Sequence, residues 1–125
     1  MLFRSRKLLP ISDARVYTLG DVVVVPFPYS DRLAEKRRPA VVVSNTRLAE
    51  EGFVWLAMIT SAHHSALSHD VRIADLALAG LPAPCVVRPT KIATVEPSRI
   101  LRTAGRLHGA QAAHVLATVR AFVGD

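Results

Sequence analysis

Two short segments of the sequence carry side chains that could act on a phosphate group. Arg38 directly precedes Pro39, and Thr60 and Ser61 directly follow an apolar run. An arginine guanidinium binds phosphate oxygens through two parallel hydrogen bonds, so Arg38 could stabilise negative charge that develops during a reaction. A strand end holds a hydroxyl group rigidly, which suits Thr60 and Ser61 to orient a reacting group.

One reaction that needs only such groups is the attack of an RNA 2′-hydroxyl on the adjacent phosphorus. It requires a proton acceptor, a proton donor and positive charge, but no metal ion. A threonine hydroxyl holds its proton too tightly to act as a free base near neutral pH, so Thr60 would orient the phosphate or relay a proton. His63 and His64 have a suitable pKa and are the candidate acid/base groups, although two exposed loop histidines would give the same pattern.

The sequence lacks the motifs of most other phosphate and metal chemistries. It contains neither a P-loop nor the glycine pattern of a dinucleotide site. Asp and Glu residues do not cluster at metal-ligand spacing, and no acidic or sulfur partner completes a metal site with His63, His64 and His69. We therefore expect no metal ion and no cofactor.

The charge of the chain favours a polyanionic partner. The formal net charge is +6, and 13 of the 16 positive residues are arginine. From Leu76 onward, Glu96 and Asp125 are the only acidic residues, against six basic ones: Arg88, Lys91, Arg99, Arg102, Arg106 and Arg120. This balance suits nucleic acid or an acidic protein, although a base-composition bias of the genome would also enrich arginine.

Cysteine content and hydropathy indicate a cytoplasmic setting. The single cysteine, Cys85, excludes an internal disulfide and a cysteine zinc cluster. No apolar run approaches the roughly 20 residues of a membrane span. Arg4, Arg6 and Lys7 are not followed by the apolar run of a secretion signal.

These candidate residues must be positioned by short strands and a closing helix. Val22–Val25 predicts a buried strand that Pro26 and Pro28 end, and the charged stretch Tyr29–Arg38 predicts a long exposed loop. Further strands are predicted over residues 40–44, 53–59, 70–73, 85–88 and 91–95, the last two split by Pro89. Short helical turns are predicted over 76–81 and 97–101, and helical spacing of apolar residues predicts a helix over 110–123.

This order predicts a mainly β or α+β fold, a small, strongly curved antiparallel barrel with a helix packed on it. Residues 20–125 form the predicted domain, and residues 1–19 an N-terminal extension. Phe27 and Trp55 are expected in the core. Ala112, Val115, Leu116, Val119, Phe122 and Val123 are expected on the packed face of the last helix.

Several segments together resemble the MazF/PemK family of toxin ribonucleases. They are Gly20–Pro28 (GDVVVVPFP), Arg37–Ser44 (RRPAVVVS) and Leu56–Ser61 (LAMITS), with weaker matches at Val87–Ile92 and Gly105–Leu107. They come in the family's order and spacing over about residues 20–123. The run Pro26–Asp31 is similar to the PemK-like branch.

The resemblance implies a small SH3-like barrel that forms a homodimer and cleaves single-stranded RNA at short sequences without metal. It implies an antitoxin partner whose acidic, flexible tail covers the RNA groove. The family pattern makes Arg38 the catalytic arginine and assigns Thr60 a catalytic role, with Ser61 beside it. Each also has a simpler interpretation, since Arg38 could pair with Glu35 and the hydroxyls could cap a turn.

Other basic and aromatic residues are candidates for contacts to RNA. The segment between Pro28 and Arg37 would gate or read RNA, and backbone contacts outnumber base contacts in such interfaces. Arg88 and Lys91 could equally be solvated strand residues. The candidate RNA-binding residues are Pro28, Tyr29, Arg37, Arg88, Lys91, Arg102 and Arg106.

Two functions of other classes stay open from the sequence. The same barrel could inhibit a protein target, such as a topoisomerase, without cutting RNA. It could also be a nucleic-acid-binding barrel without catalytic activity, which would show tight, salt-sensitive RNA binding.

Overall fold

The computed structural model describes residues 16–28, 35–63 and 66–124. Within them, six strands, three α-helices and one 3-10 turn follow in chain order. They are β1 (Asp21–Pro28), β2 (Glu35–Val42), α1 (Thr46–Glu50), β3 (Val54–Ser61), β4 (Val71–Arg72), α2 (Leu76–Ala79), β5 (Cys85–Val95), the 3-10 turn (Pro97–Arg99), β6 (Arg102–Arg106) and α3 (Gly109–Val123).

The strands form one curled sheet in the order β4-β5-β3-β2-β1-β6, and each neighbouring pair is antiparallel. The predicted class, a mainly β or α+β fold with a C-terminal helix, is confirmed. No helix in the described ranges is long and apolar enough to cross a membrane.

Strand β1 continues through Pro26 and ends at Pro28, so the prediction that Pro26 ends it is wrong, whereas Pro28 is its last residue. Strand β6 pairs with β1 only as far as Val24, whereas β2 pairs with it as far as Pro28. Beyond Val24, one edge of β1 has no neighbour among the described strands. A proline can face that edge without removing a ladder hydrogen bond.

Strand β2 begins at Glu35, so the last part of the loop predicted over Tyr29–Arg38 is strand instead; residues 29–34 lie outside the described residues. Arg38 lies inside β2, opposite Val25, and not at a junction of loop and strand. The extended backbone that a proline imposes on the preceding residue is compatible with this position.

Strand β5 is continuous, so the predicted break at Pro89 is wrong. Met58 of β3 pairs with Arg88, but the preceding residue, Ala57, pairs with Ile92. Three residues of β5 therefore bulge out of the ladder, beginning with the buried Pro89. The missing N–H of proline costs no ladder hydrogen bond because it lies in this bulge.

The sheet buries apolar side chains on both faces. Its helix face packs against α3, which contributes Ala112, Val115 and Val119. The helix face consists of Val22, Val41, Ala57, Ile59 and Val87. The opposite face, here called the barrel face, consists of Val23, Val25, Ala40, Leu56 and Met58. Tyr17 packs against the barrel face, so part of the predicted N-terminal extension contacts the domain.

Two expectations about the core are wrong. Trp55 is 43% exposed, and Phe122 and Val123 are 50% and 77% exposed. Trp55 and Val123 line a groove of about 1030 Å³ between α1 and the end of α3. The Phe122 ring meets the His69 ring edge-on, with the centroids 5.0 Å apart.

The edge strand β4 is tied to α3 by one side chain. The Gln111 amide donates to the carbonyl of Arg72 at 2.8 Å and accepts from the N–H of Ala74 at 3.1 Å. These two bonds satisfy backbone groups at the sheet edge, where no further strand is described.

Candidate nucleic-acid interface

The register of the sheet brings Arg38 and Thr60 to the same end of the barrel face. Ala40 of β2 pairs with Met58 of β3, and both belong to the barrel face. The pairing ends there, and Arg38 and Thr60 each lie two residues beyond it on their strands. Because side chains alternate with a period of two, both project from the barrel face.

Two lysines lie at the same end of this face. Lys36 pairs with Phe27 across β2 and β1. The Lys91 ammonium lies 5.4 Å from the centroid of the Phe27 ring, a cation–π distance. The bulge in β5 is what carries Lys91 to this position, since it inserts three residues between the partners of Met58 and Ala57. Phe27 packs partly against the barrel-face core, in line with the core position expected for it.

Arg88 also projects from the barrel face, because its partner in β3 is Met58. Its guanidinium binds Asp70 at two points: Nε donates to Oδ1 at 3.1 Å and Nη2 to Oδ2 at 2.9 Å. The side chains of Arg88 and Asp70 are 19% and 6% exposed. Arg88 is thus a partly buried, ion-paired residue, and its partner Met58 lies two residues from Thr60 on β3. From the sequence alone it could have been either a solvated strand residue or a contact to phosphate.

The ion pair predicts how stability depends on pH. The hydrogen bonds from Arg88, and then the N–H of Leu67, hold the pKa of Asp70 below its ordinary value, although burial opposes this. Because the pKa is lower in the folded state, the stabilisation is complete above about pH 4, the ordinary aspartate value. It is lost as the pH falls through the lowered folded-state pKa.

We therefore expect Asp70→Asn to lower the free energy of unfolding by about 1–3 kcal/mol at pH 7, since it weakens hydrogen bonds to a charged group. The difference from the unsubstituted chain should shrink below pH 4. Urea unfolding of both chains between pH 3 and pH 7 measures it. A difference that is constant over this range would contradict the assignment.

Three of the predicted RNA-binding arginines lie elsewhere. Arg37 projects from the face opposite to Arg38 and lines a groove of about 520 Å³ together with Arg102. Arg106 pairs with Asp21 at the far end of β6 from Arg102. The structure therefore brings together Arg38, Thr60, Arg88 and Lys91, but not Arg37, Arg102 and Arg106.

The remaining predicted residues fall around the turn after β3 or outside the described part. Ser61 ends β3, and its hydroxyl accepts a hydrogen bond from the N–H of His63 at 3.1 Å, which is the turn-capping arrangement. The His63 side chain is exposed. Pro28 ends β1. Tyr29 and His64 lie outside the described residues.

Two further observations concern the chemical groups of the described residues. Burial raises the pKa of the Cys85 thiol, which pairs in register with Ser61, so the thiol is protonated near neutral pH and is a poor nucleophile. Within residues 16–28, 35–63 and 66–124, no three His, Cys, Asp or Glu side chains are grouped so that they could hold a metal ion.

Sequence reasoning did not identify Asp70, Lys36 or Phe27 as neighbours of the candidate residues. Asp70 lies 18 residues from Arg88 in the chain, and its proximity follows from the β4–β5 register, in which Val71 pairs with Val87. No local pattern encodes that register. Phe27 could have been found from its alternation with Val23 and Val25, which puts all three on one face.

A family model described as the PemK-like, MazF-like toxin of type II toxin–antitoxin systems matches residues 18–123. The chain belongs to this toxin family. The family assigned from the sequence motifs is therefore confirmed. The comparison with curated proteins found no match for this chain.

Solved structures of family members share the fold. MazF of Deinococcus radiodurans aligns with a TM-score of 0.70 and 20% identity, over 89% of this chain and 99% of that one. The Mycobacterium tuberculosis toxin MazF-mt6 aligns with a TM-score of 0.64 and 23% identity, over 84% and 98%. A mycobacterial endoribonuclease in complex with its cognate antitoxin aligns with a TM-score of 0.64 and 16% identity, over 85% and 96%.

Proposed function

We propose that this toxin is a sequence-specific endoribonuclease that cleaves single-stranded RNA, such as mRNA, without a metal ion. The observation that supports the proposal is the β2–β3 register, which pairs Ala40 with Met58 and so puts Arg38 and Thr60 on the barrel face at the same end of the two strands. The same part of the sheet carries Lys91, which lies over the Phe27 ring, and the Arg88–Asp70 ion pair. Guanidinium, ammonium and hydroxyl groups on rigid strands provide what phosphate binding and charge stabilisation need.

In the proposed reaction, the 2′-oxygen of one nucleotide forms a bond to the adjacent phosphorus, and the bond from phosphorus to the 5′-oxygen breaks. The proton of the 2′-hydroxyl passes to a base, and a proton is delivered to the departing 5′-oxygen, so the products are a 2′,3′-cyclic phosphate and a 5′-hydroxyl. Arg38 stabilises the extra negative charge on the phosphorane oxygens. Thr60 orients the phosphate or relays a proton, and Ser61 supports the turn beside it.

The acid and the base of this reaction are not assigned by the geometry of the described residues. His63 and His64 are the candidates because histidine is the side chain that most often acts as a general acid or base. Unchanged pH–rate profiles of both His63→Ala and His64→Ala would exclude them. Proton transfer would then have to involve Thr60 or the substrate itself.

A cognate antitoxin with an acidic, flexible tail belongs to the same proposal. One structural neighbour is an endoribonuclease in complex with its cognate antitoxin, and another is a MazE–MazF complex. The excess of arginine makes the surface of this chain complementary to an acidic segment. Toxin and antitoxin would meet in the cytoplasm, where mRNA is the substrate.

We also propose that the chain forms a homodimer. The groove between α1 and the end of α3 exposes apolar surface, including Trp55, Leu116 and Val123. Exposed apolar patches of this kind often mark the surfaces through which proteins bind one another.

The test of the proposed function is incubation of the purified toxin with a mixed pool of single-stranded RNA in EDTA. We expect cleavage, and we expect Thr60→Val to reduce its rate by about 10–100-fold, since the isosteric side chain removes only the hydroxyl. Thr60→Ser should retain most of the activity. The unfolding temperatures of both variants control for stability.

Other results would favour other functions. Tight, salt-sensitive RNA binding without cleavage would identify a non-catalytic nucleic-acid-binding barrel. Growth arrest on expression, with neither RNA binding nor cleavage, would identify a toxin that acts on a protein target. Full activity of Thr60→Val would remove Thr60 from the site.

A further inference from the structure

A carboxylate holds one of the cations of the candidate site by two hydrogen bonds. Asp70 accepts from Nε and Nη2 of Arg88 at 3.1 Å and 2.9 Å. Two parallel bonds fix both the position and the plane of a guanidinium, which a single contact does not. With 6% of its side chain exposed, Asp70 offers little surface to water.

The pairing of β4 with β5 explains why Asp70 and Arg88 meet. Val71 pairs with Val87, so the same register places Asp70 opposite Arg88. Arg88 in turn pairs with Met58, and Thr60 is the next residue of β3 on the same face. Diagonal neighbours in such a ladder lie about 7–8 Å apart, within reach of a long side chain. Asp70 therefore restrains the guanidinium of a residue that is a diagonal neighbour of Thr60 in the β3–β5 ladder.

We propose that Asp70 is a positioning residue for RNA cleavage, which fixes the plane in which the Arg88 guanidinium meets the RNA. The proposal rests on the proposed ribonuclease function. An arginine side chain loses conformational entropy when it becomes ordered on a ligand. Because Asp70 already orders the Arg88 side chain, most of this entropy is lost on folding and not on RNA binding. The carboxylate also offsets one positive charge on the barrel face, from which Arg38 projects as well.

A purely structural role of Asp70 must be separated from this positioning role. The N–H of Leu67 donates to Oδ2 of Asp70 at 2.9 Å, and the N–H of Asp70 donates to the carbonyl of Leu67 at 3.1 Å. Asp70 thus also closes the turn before β4. Loss of that turn would lower stability, but it would not make the effect of Asp70 on cleavage depend on Arg88.

The experiment is a double-mutant cycle in the full-length toxin, measured as single-turnover RNA cleavage well below the unfolding temperature of every variant. We expect Asp70→Asn to reduce cleavage by about 10–100-fold, as for other residues that orient a functional group. In an Arg88→Ala background the same change should cost less than twofold. The matched control is Asp75→Asn, which keeps an N-cap acceptor for α2 and lies outside the site.

A second measurement needs no catalysis. The Nε–H signal of Arg88 is followed by NMR while a 2′-O-methyl RNA that cannot be cleaved is added. We expect the signal to shift on binding, and the shift to disappear in Asp70→Asn. A shift that depends on Asp70, in a toxin that cleaves no RNA, would overturn the ribonuclease proposal but retain Asp70 as a positioning residue for RNA binding.

Either of two results would overturn the proposal for Asp70. One is that Asp70→Asn changes the cleavage rate by the same factor in the unsubstituted toxin and in Arg88→Ala, which includes the case of no change in either. The other is an Arg88 signal that the RNA analogue does not move, or moves equally in Asp70→Asn.

Discussion

Replacing Arg38 by alanine should reduce the rate of RNA cleavage by about 10²–10³-fold, the usual effect of removing one preorganised donor to a developing oxyanion. Arg38 is held inside β2, opposite Val25 and on the same face of the sheet as Thr60. Its backbone is therefore fixed before substrate binds, and little reorganisation is needed as charge develops. Single-turnover cleavage of a defined RNA measures the loss.

The neighbouring residue provides a matched control for this prediction. Arg37 carries the same charge on the same strand, but it lines a groove on the other face with Arg102. We expect Arg37→Ala to weaken RNA binding at most, with the cleavage step unchanged. Arg38→Lys should restore only part of the rate, because an ammonium cannot bind two phosphate oxygens as a guanidinium does. Equal losses from Arg37→Ala and Arg38→Ala would show that overall charge, and not the register, matters.

Replacing Gly105 by alanine should destabilise the fold by roughly 1–3 kcal/mol, the range for an overpacked site. An added Cβ at Gly105 would lie 2.2 Å from the carbonyl oxygen of Leu78 and 2.6 Å from the carbonyl carbon of Ala79. Both atoms belong to the backbone of α2, so no flexible side chain can move aside. An added Cβ at Gly80, directly after α2, would likewise clash with the backbone carbonyl of Ala104 in β6. The backbones of this segment and of β6 are therefore in direct contact.

Urea unfolding and the melting temperature measure this effect, which for a domain of this size corresponds to a fall of several degrees per kcal/mol. Gly109→Ala is the matched control. A Cβ at Gly109 has no atom within 4 Å, and the residue begins α3, where alanine is a better helix former. We expect Gly109→Ala to leave stability unchanged or slightly higher. A Gly105→Ala chain as stable as that control would show that α2 does not pack on β6 as described.

Local sequence patterns were sufficient to predict several secondary-structure elements. The four valines of β1, the apolar spacing of α3 and the short turns near Leu76 and Pro97 are confirmed. Prolines were misread because their effect depends on the neighbouring strand. Pro26 faces an edge that β6 does not reach, and Pro89 lies in a bulge. A sequence does not show where a ladder ends or shifts.

Some features of the candidate site could likewise be predicted from the sequence, and others depend on how the strands pair. The residues Arg38 and Thr60, and the toxin family, followed from motifs in the sequence, and the family is confirmed. Whether two basic residues share a site depends on strand parity and register, which are set by pairings between distant segments. Consecutive residues Arg37 and Arg38 therefore fall on opposite faces, and Arg88 is bound to a carboxylate 18 residues away.

The sequence by itself determined the residue types, the excess of positive charge, the strand-and-helix composition and the family. The tertiary structure decided which cations surround Thr60, and it added Asp70, Lys36 and Phe27 to that end of the sheet. The physical reason is that composition and periodicity act over a few residues, whereas a shared face arises when antiparallel ladders fix the offset between strands. Sheet register alone places Asp70, Arg88 and Thr60 together.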